Sequence, residues 1–271
     1  MNVYVGERDV LSVSGEDAES YLQGQVSQDV TKLGIGESAW SLILQPQGKV
    51  DAWFRITRTA DDVFLLDVDA GFGETLLARV KRFMMRVKVE LELATWTLHA
   101  YDGAIDDSAT AAPIVSPSAD GLGVDVIGPD LATPVATELD ATEHLRRRIE
   151  GGIPAMGSEL GESTIPAEAG IVKQSVSFTK GCYTGQELVA RVDSRGDNTP
   201  RRLRIVSGSG SAAVGDELHN DGAIAGTLTS VAPTDDGWVA LAYVKRSSFD
   251  KTELDFSGTA VTVRPVPGDA A

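Results

Sequence analysis

The chain has 271 residues, enough for one large domain or two modest ones, and 42% of them are hydrophobic, so a core can be buried. No apolar run reaches the roughly 18 residues of a membrane-spanning helix, and no secretory signal pattern is visible. The single cysteine, Cys182, excludes an internal disulfide and any all-cysteine metal or cluster site. These features predict a cytoplasmic protein that makes no contact with a membrane.

The charge balance is strongly acidic, with 40 Asp and Glu against 24 Lys and Arg and a formal net charge of −16. A dispersed acidic surface favours solubility at high salt, where screening removes the cost of self-repulsion. We therefore predict a salt-loving source, such as a halophilic archaeon. Direct nucleic-acid binding is not expected, because it normally needs a basic patch. The basic clusters at 146–148 and 201–204 are interpreted as solvated or ion-paired.

The first part of the chain alternates strand patterns with helical spacing. The elements predicted there are a strand at 10–14, a short helix after a capping box at Ser14 and Asp17, a glutamine-rich loop at 23–28, strands at 39–44, 50–56 and 63–68, a helix at 72–84, and strands at 87–93 and 97–101. Helices inserted among antiparallel strands indicate an α+β domain.

The second part begins with a predicted surface loop at 103–120, rich in small and acidic residues. A strand at 123–127 and a helix at 141–149 follow. The last segment shows short strands at 203–206, 223–231, 239–244 and 261–263, a spacing typical of a small antiparallel barrel or sandwich. We therefore divide the chain into residues 1–198 and a C-terminal β-barrel at 199–271.

Cys182 lies in a segment that predicts a turn before a helix. Residues 175–178 alternate as in a strand, and Thr184 with Glu187 has the spacing of a capping box. A nearby lysine, Lys180, and exposed helix N–H groups would both favour a reactive thiolate. The alternative is a small buried hydrophobic residue, which a free cysteine usually is. Local sequence leaves both interpretations open.

The sequence KGCYTGQELVAR at 180–191 resembles the signature of the YgfZ family of folate-binding proteins, relatives of the aminomethyltransferase (T protein) of the glycine cleavage system. Further resemblances follow in order: SGEDAESYLQGQVSQDV at 14–30, RIEGGIPAMGSEL at 148–160, IPAEAG at 165–170 and GTLTSVAP at 226–233. The resemblance implies a folate-binding α+β domain followed by a small β-barrel. It also implies tetrahydrofolate or a one-carbon derivative as the cofactor, held in a central channel.

The resemblance also implies site residues. In the related transferases, the Glu of an R-x-E-x-G segment hydrogen-bonds the pteridine ring, and that residue here is Glu150. A carboxylate suits this role, because it accepts two parallel N–H bonds. The alternative is a surface acid at a helix C-terminus. Lys180 would meet the glutamate tail of folate or tune Cys182. The other candidate folate-binding residues are Gln23, Gln25, Asp29, Tyr183, Gln186, Glu187 and Arg191; for the first three, a locally capped polar loop is the alternative.

Two departures from the related families affect the expected chemistry. Where the transferases carry an Asp-Asp pair, this chain has Ala52 and Trp53, and Asp51 lies one residue early. A one-residue shift on a strand turns a side chain to the opposite face, so we expect the aminomethyl-transfer acid to be missing. His144 and Arg8 occupy positions where bacterial YgfZ proteins carry aromatic residues.

The first hypothesis is a folate-dependent protein that assists synthesis or repair of iron–sulfur clusters, including those of tRNA-thiolating enzymes, with Cys182 as the working thiol. Iron–sulfur proteins or cluster-assembly factors would be its partners. The second is a folate-dependent aminomethyltransferase, in which Asp51 acts as the acid. The third is a folate-binding scaffold without chemistry. The three histidines show no ligand-like spacing, so no bound metal is expected.

Overall fold

The computed structural model describes residues 1–105, 112–194 and 198–267. Within these residues, eight strands form one large sheet: β1 (Asn2–Ser14), β2 (Ser38–Leu44), β3 (Val50–Ala60), β4 (Val63–Asp69), β5 (Glu90–Tyr101), β6 (Ile114–Pro117), β7 (Val124–Gly128) and β8 (Thr137–Leu139). Their order is β2-β3-β4-β1-β5-β7-β6, and β8 pairs in parallel with the start of β1. The long central strand β1 lies antiparallel between β4 and β5.

Five α-helices are found in the described residues: α1 (Ala18–Gln25), α2 (Gly73–Lys81), α3 (Ala141–Glu150), α4 (Val172–Ser175) and α5 (Gln186–Ser194). Six strands between residues 198 and 267 close into an antiparallel barrel: β9 (Arg201–Gly208), β10 (Glu217–Asn220), β11 (Ala223–Thr234), β12 (Gly237–Lys245), β13 (Glu253–Phe256) and β14 (Thr259–Pro265). The predicted α+β class and C-terminal barrel are confirmed. The division at 198/199 falls between α5 and β9.

The large sheet is buried on both faces, because its central strand alternates between two apolar clusters. Leu11 on one face packs in the cluster that contains Leu22 of α1 and Leu76 of α2. Val10 on the other face belongs to a smaller cluster with Ile127 of β7. The two helices therefore cover one face, and β6 and β7 extend the sheet on the far side of β5.

The helix α3 contacts both the sheet and the barrel, and its His144 stacks on Tyr4 of β1. Ile149 is fully buried in a cluster with Leu203, Leu241 and Tyr243 of the barrel. The last turn of α3 is thus fixed against the barrel wall, and its C-terminal residues are held at the boundary between the two parts of the chain.

The buried carboxylate of Glu159 connects α3 to the barrel strand β11. Glu159 is almost fully buried and accepts hydrogen bonds from Arg148 of α3 at 3.0 Å and from the Ala155 amide at 3.0 Å. Its other oxygen accepts from Thr229 at 2.7 Å and Ser230 at 2.6 Å on β11. A buried charge is tolerated only when it is paired and fully hydrogen-bonded, and this one meets both conditions.

Several predicted elements differ from the structure. The strand predicted at 10–14 begins at Asn2, and the strands at 87–93 and 97–101 are one continuous strand, β5. The predicted loop at 103–120 contains β6, while residues 106–111 lie outside the described residues. Residues 114–117 (IVSP) form a strand by pairing with β7, a contact that the small and acidic composition of 103–120 does not reveal.

The predicted helix starts are also wrong in detail. The Asp17 carboxylate accepts from the Lys88 amide at 2.7 Å instead of capping α1. The expected strand at 175–178 is wrong, because α4 ends at Ser175. The helix after Cys182 begins at Gln186, not directly after Thr184. Gly185 comes first, with φ +82 and so little space that a Cβ would lie 2.6 Å from the Gln45 carbonyl oxygen.

We predict that Glu159→Gln lowers the free energy of unfolding by about 3 kcal/mol, because it leaves the Arg148 guanidinium without a buried counter-charge. Urea denaturation of the full chain measures this. Glu162→Gln is the matched control, since Glu162 is exposed on the same segment. Equal midpoints for the two variants would show that the buried ion pair has no net stabilising effect.

Candidate functional site

A cleft of about 510 Å³ opens between the sheet and α3. Its lining comes from β1, β2, β3 and β5, from the turn at 118–125, from the last turns of α3 and from residues 151–155. Small-molecule sites typically measure about 300–1,000 Å³, so the cleft has the size of a cofactor site. Two smaller cavities, of about 240 and 330 Å³, border the same turn at Ala119 and Asp120.

One wall of the cleft is aromatic. Trp40 of β2 and Trp53 of β3 stack with ring centroids 4.3 Å apart, and both line the cleft. The Trp53 Nε1 donates to Ser175 Oγ at 2.9 Å, which fixes the plane of its ring. The Arg55 guanidinium lies 5.4 Å from the centre of the Trp40 ring. The sequence provides this wall because both tryptophans lie on adjacent antiparallel strands of one hairpin.

A buried charge network supports the aromatic wall. The fully buried Arg55 pairs with Asp67 at 3.0 Å and with Asp125 at 3.1 Å. Arg8 of β1 pairs with the same Asp67 at 3.0 Å and also with Asp69. Burial raises the pKa of Asp125, and the guanidinium groups of Arg55 and Arg8 oppose that effect. Arg8 is therefore held against the cleft wall by acids of the sheet.

Glu150 lies at the C-terminal end of α3 and lines the cleft, as expected for its predicted role. Its Oε1 accepts from Arg146 at 2.6 Å, while Oε2 has no hydrogen-bond partner in the described part of the chain. About 40% of its side chain is exposed. One carboxylate oxygen of Glu150 is therefore free to accept a hydrogen bond from a ligand.

Arg147 and His144, which line the cleft beside Glu150 on α3, already contact other residues of the protein. Arg147 pairs with Asp102 at 2.8 Å, and the Arg147 guanidinium holds the pKa of Asp102 well below its usual range. His144 stacks on Tyr4, with ring centroids 3.9 Å apart. Burial, helped by the charges of Arg148 and Arg147, lowers the pKa of His144 to about 4. The imidazole is therefore neutral at pH 7 and presents a flat, uncharged ring.

Lys180 lies elsewhere, at the C-terminal end of α1. Its ammonium group donates to the backbone carbonyls of Gln23, Val26 and Gln28 at 2.8, 2.6 and 2.9 Å. Burial lowers the pKa of Lys180 to about 8, opposed by the nearby Asp29. All three N–H donors are used within the protein, so Lys180 closes the end of the helix and holds the segment before Cys182 against it.

The remaining candidates do not line the cleft, and three of them, Gln23, Asp29 and Tyr183, lie close to Lys180. Gln23 and Asp29 bond to each other at 2.9 Å, and the ring of the buried Tyr183 lies 5.3 Å from the Lys180 Nζ. The Gln186 Oε1 accepts from the Tyr183 amide at 3.3 Å. Glu187 and Arg191 form an exposed ion pair, and Gln25 is half-buried.

Cys182 is exposed to solvent and unpaired, so the buried interpretation is wrong. It follows Gly181 in an extended segment and precedes the buried Tyr183, which anchors the chain. It is not among the residues that line the cleft. The sequence could place the thiol before a helix but could not show on which surface it lies.

Asp51 also lies away from the cleft lining. It is the extra residue of a β-bulge in β3, because Ile43 pairs with Ala52 while Leu44 pairs with Val50. Its carboxylate accepts from the Arg79 Nε of α2 at 2.8 Å. The bulge turns Asp51 toward α2, so its side chain is committed to an ion pair and not to the cleft.

The residues the structure describes contain no group of three or more His, Cys, Asp or Glu positioned to hold a metal ion. In the same residues, no helix is both long and apolar enough to span a membrane.

Comparison with solved structures gives the fold class. The structure matches the glycine cleavage system aminomethyltransferase T from Bartonella henselae with a TM-score of 0.83 at 18% identity, covering 98% of this chain and 86% of that chain. At this identity the match shows the fold alone, which confirms the T-protein-like architecture predicted from the sequence. No protein-family model matches the chain.

Comparison with curated proteins gives the relatives. The chain is 34% identical to the mitochondrial iron-sulfur cluster assembly factor IBA57 homologue of Pyricularia oryzae over 73% of this chain and 55% of that protein. It is 28% identical to the tRNA-modifying protein YgfZ of an Enterobacter species over 95% of this chain and 90% of that protein. It spans between 49% and 64% of the length of four fungal relatives that it matches. The chain is therefore a homologue of the YgfZ and IBA57 proteins, which confirms the resemblance read from its motifs.

We predict that acid destabilises the protein partly through His144. Its pKa is about 4 in the folded state against 6.5 unfolded, so the unfolded chain binds the extra proton first, and stability falls as the pH drops from 6.5 to 4. His144→Gln should reduce that slope in urea denaturation, while His219→Gln, at a half-exposed position on β10, should keep it. Identical slopes for wild type and His144→Gln would contradict the prediction.

Proposed function

We propose that this protein binds tetrahydrofolate or a one-carbon derivative in the cleft and assists the assembly or repair of iron–sulfur clusters, including those of tRNA-modifying enzymes, in the cytoplasm. The observation that carries the proposal is that Glu150, the candidate pteridine-binding residue, lines a cofactor-sized cleft beside two stacked tryptophans. The cellular role is supported by two relatives, an iron-sulfur cluster assembly factor IBA57 homologue and a tRNA-modifying protein YgfZ.

The residues of the cleft fit a folate. A flat pterin needs an aromatic or apolar surface, and the stacked Trp40 and Trp53 supply one in the cleft lining. The aminopyrimidine edge carries N–H donors, and the unpartnered Oε2 of Glu150 is an acceptor for them. When bound, the cofactor supplies one-carbon chemistry. The protein's part is to hold and orient it: Arg146 fixes the Glu150 carboxylate at 2.6 Å, and the α3–barrel contact fixes the helix.

The thiol would act on a different surface from the cofactor. Cys182 is exposed and lies outside the cleft lining, so a partner protein can reach it. One thiolate cannot hold a cluster alone, because clusters in proteins take several cysteine ligands. Iron–sulfur proteins or assembly factors would therefore supply the other ligands, and the cluster would be cargo that passes between proteins.

Aminomethyl transfer is less well supported by these residues. Asp51, the nearest acid to the position where the transferases carry their aspartate pair, forms an ion pair with Arg79 and does not line the cleft. The scaffold alternative differs from the proposal in needing no chemistry at Cys182, and the two are separated by substitution of that residue.

We predict that calorimetry with tetrahydrofolate detects binding to the full chain and that Glu150→Gln weakens it by about tenfold or more, because a hydrogen bond to a charged group is lost. Glu143→Gln is the matched control: it removes the same charge from the same helix and also frees Arg146, but Glu143 does not line the cleft. Absence of binding by wild type would remove the folate proposal. Equal affinity of wild type and Glu150→Gln would remove Glu150 from the site.

We predict that Cys182→Ala abolishes the ability of the protein to restore iron–sulfur enzyme activity in a bacterial strain that lacks its own YgfZ homologue. The side chain is exposed, so the substitution should leave folding and tetrahydrofolate binding unchanged. Ser177→Ala, in the same segment, should restore activity like wild type. Full activity of Cys182→Ala would favour the scaffold alternative.

A further inference from the structure

The loop at 81–88, between α2 and β5, has a composition unlike the rest of the molecule. Its sequence KRFMMRVK carries four cations and no acid in a chain of net charge −16. In the described residues, Lys88 is the only cation of this loop that pairs with an acid.

The loop is fixed to the body of the protein at several points. Met84 and Val87 pack against the main core, and Val89 behind them is buried. Lys88 donates its amide to Asp17 at 2.7 Å and pairs with Glu16 at 2.6 Å. The backbone conformation is therefore set by packing.

The remaining side chains of the loop point to solvent. Met85 is 80% exposed and Phe83 is 46% exposed, so two large apolar side chains, two residues apart in the sequence, lie on the surface. Arg79 and Arg82 lie 5.0 and 5.8 Å from the Phe83 ring centre and hold it by cation–π contact. Arg86 adopts φ +57, a left-handed conformation that costs free energy for a residue with a side chain.

The exposed cations of this loop are unneutralised. Lys81, Arg82 and Arg86 form no ion pair with any acid in the described residues, although the chain has 40 acids. Apolar residues surrounded by unpaired charge are a typical composition of a protein interface, with an apolar centre and a charged rim.

We propose that the 81–88 loop is a docking surface for a partner protein that presents acidic side chains around an apolar residue. This inference does not depend on the folate cleft or on Cys182. Charge complementarity selects an acidic partner, and Phe83 with Met85 supplies the apolar contact. An extended polyanion such as RNA, or an anionic membrane, would meet the repulsion of the whole acidic surface. A short acidic protein segment would contact only the loop and would avoid the repulsion from the rest of the acidic surface.

The test uses the full chain as bait for a displayed library of random short peptides. The expected result is enrichment of peptides that combine Asp or Glu with an aromatic or large aliphatic residue. Fluorescence titration of an enriched peptide should show affinity that falls with added salt, because exposed charges are screened. Arg82→Glu with Arg86→Glu should weaken binding by about tenfold or more, since like charges then face each other.

Matched controls separate the loop from general effects. Lys245→Glu changes an exposed cation on the barrel and should leave the affinity unchanged. Met85→Ser should weaken binding while Val214→Ser, at an exposed barrel position, should not. The proposal is overturned if no acidic–apolar class of peptides is enriched, or if the loop variants bind such peptides as wild type does. Loop-dependent binding of an RNA oligonucleotide or phosphatidylserine vesicles, without peptide binding, would also overturn it.

Discussion

The ion pair of Arg148 and Glu159 is the contact on which the arrangement of the cleft depends. Removing these charges from water costs several kcal/mol per ion, and the pair is tolerated because hydroxyl and amide donors complete the coordination of the carboxylate. Arg148 lies two residues before Glu150 on the same helix. The pair that joins α3 to the barrel therefore also sets the position of the candidate pteridine-binding carboxylate, and the barrel acts as the support of the cleft.

A second constraint places the thiol. The Lys180 ammonium closes the end of α1 with three carbonyl contacts, and Tyr183 is buried on the other side of Cys182. The residues on both sides of the cysteine are thus anchored, while the cysteine itself is exposed. The motif KGCYTGQE therefore holds an exposed thiol between two anchored residues. Gln23 and Asp29 of the 14–30 segment bond to each other beside Lys180 and do not line the cleft.

Much of the fold could be predicted from the sequence, because strand alternation, helical spacing and turn residues are local signals. Strands β2 to β4, helices α2 and α3, strand β7 and four of the six barrel strands follow from them, whereas β6, β8, β10 and β13 do not. The failures came from distant contacts. Gly185 lies close to the 45–48 turn, so α5 starts later than its capping pattern predicts. The Asp17 carboxylate accepts a hydrogen bond from the Lys88 amide and is therefore not available to cap α1. Glu150 could be placed by its motif, but Trp40 and Trp53 could not, because their stacking arises from pairing between two strands. Lys180 was expected near a ligand or the thiol, and no local signal reveals that three carbonyls surround it.

The central claim is that cofactor and thiol occupy separate surfaces of one rigid chain. The rate of alkylation of Cys182 by iodoacetamide, measured with and without saturating tetrahydrofolate, tests it most directly. We expect equal rates, because the exposed thiol does not line the cleft in which we propose that the cofactor binds. Strong protection of the thiol by the cofactor would contradict it and place Cys182 in the folate site.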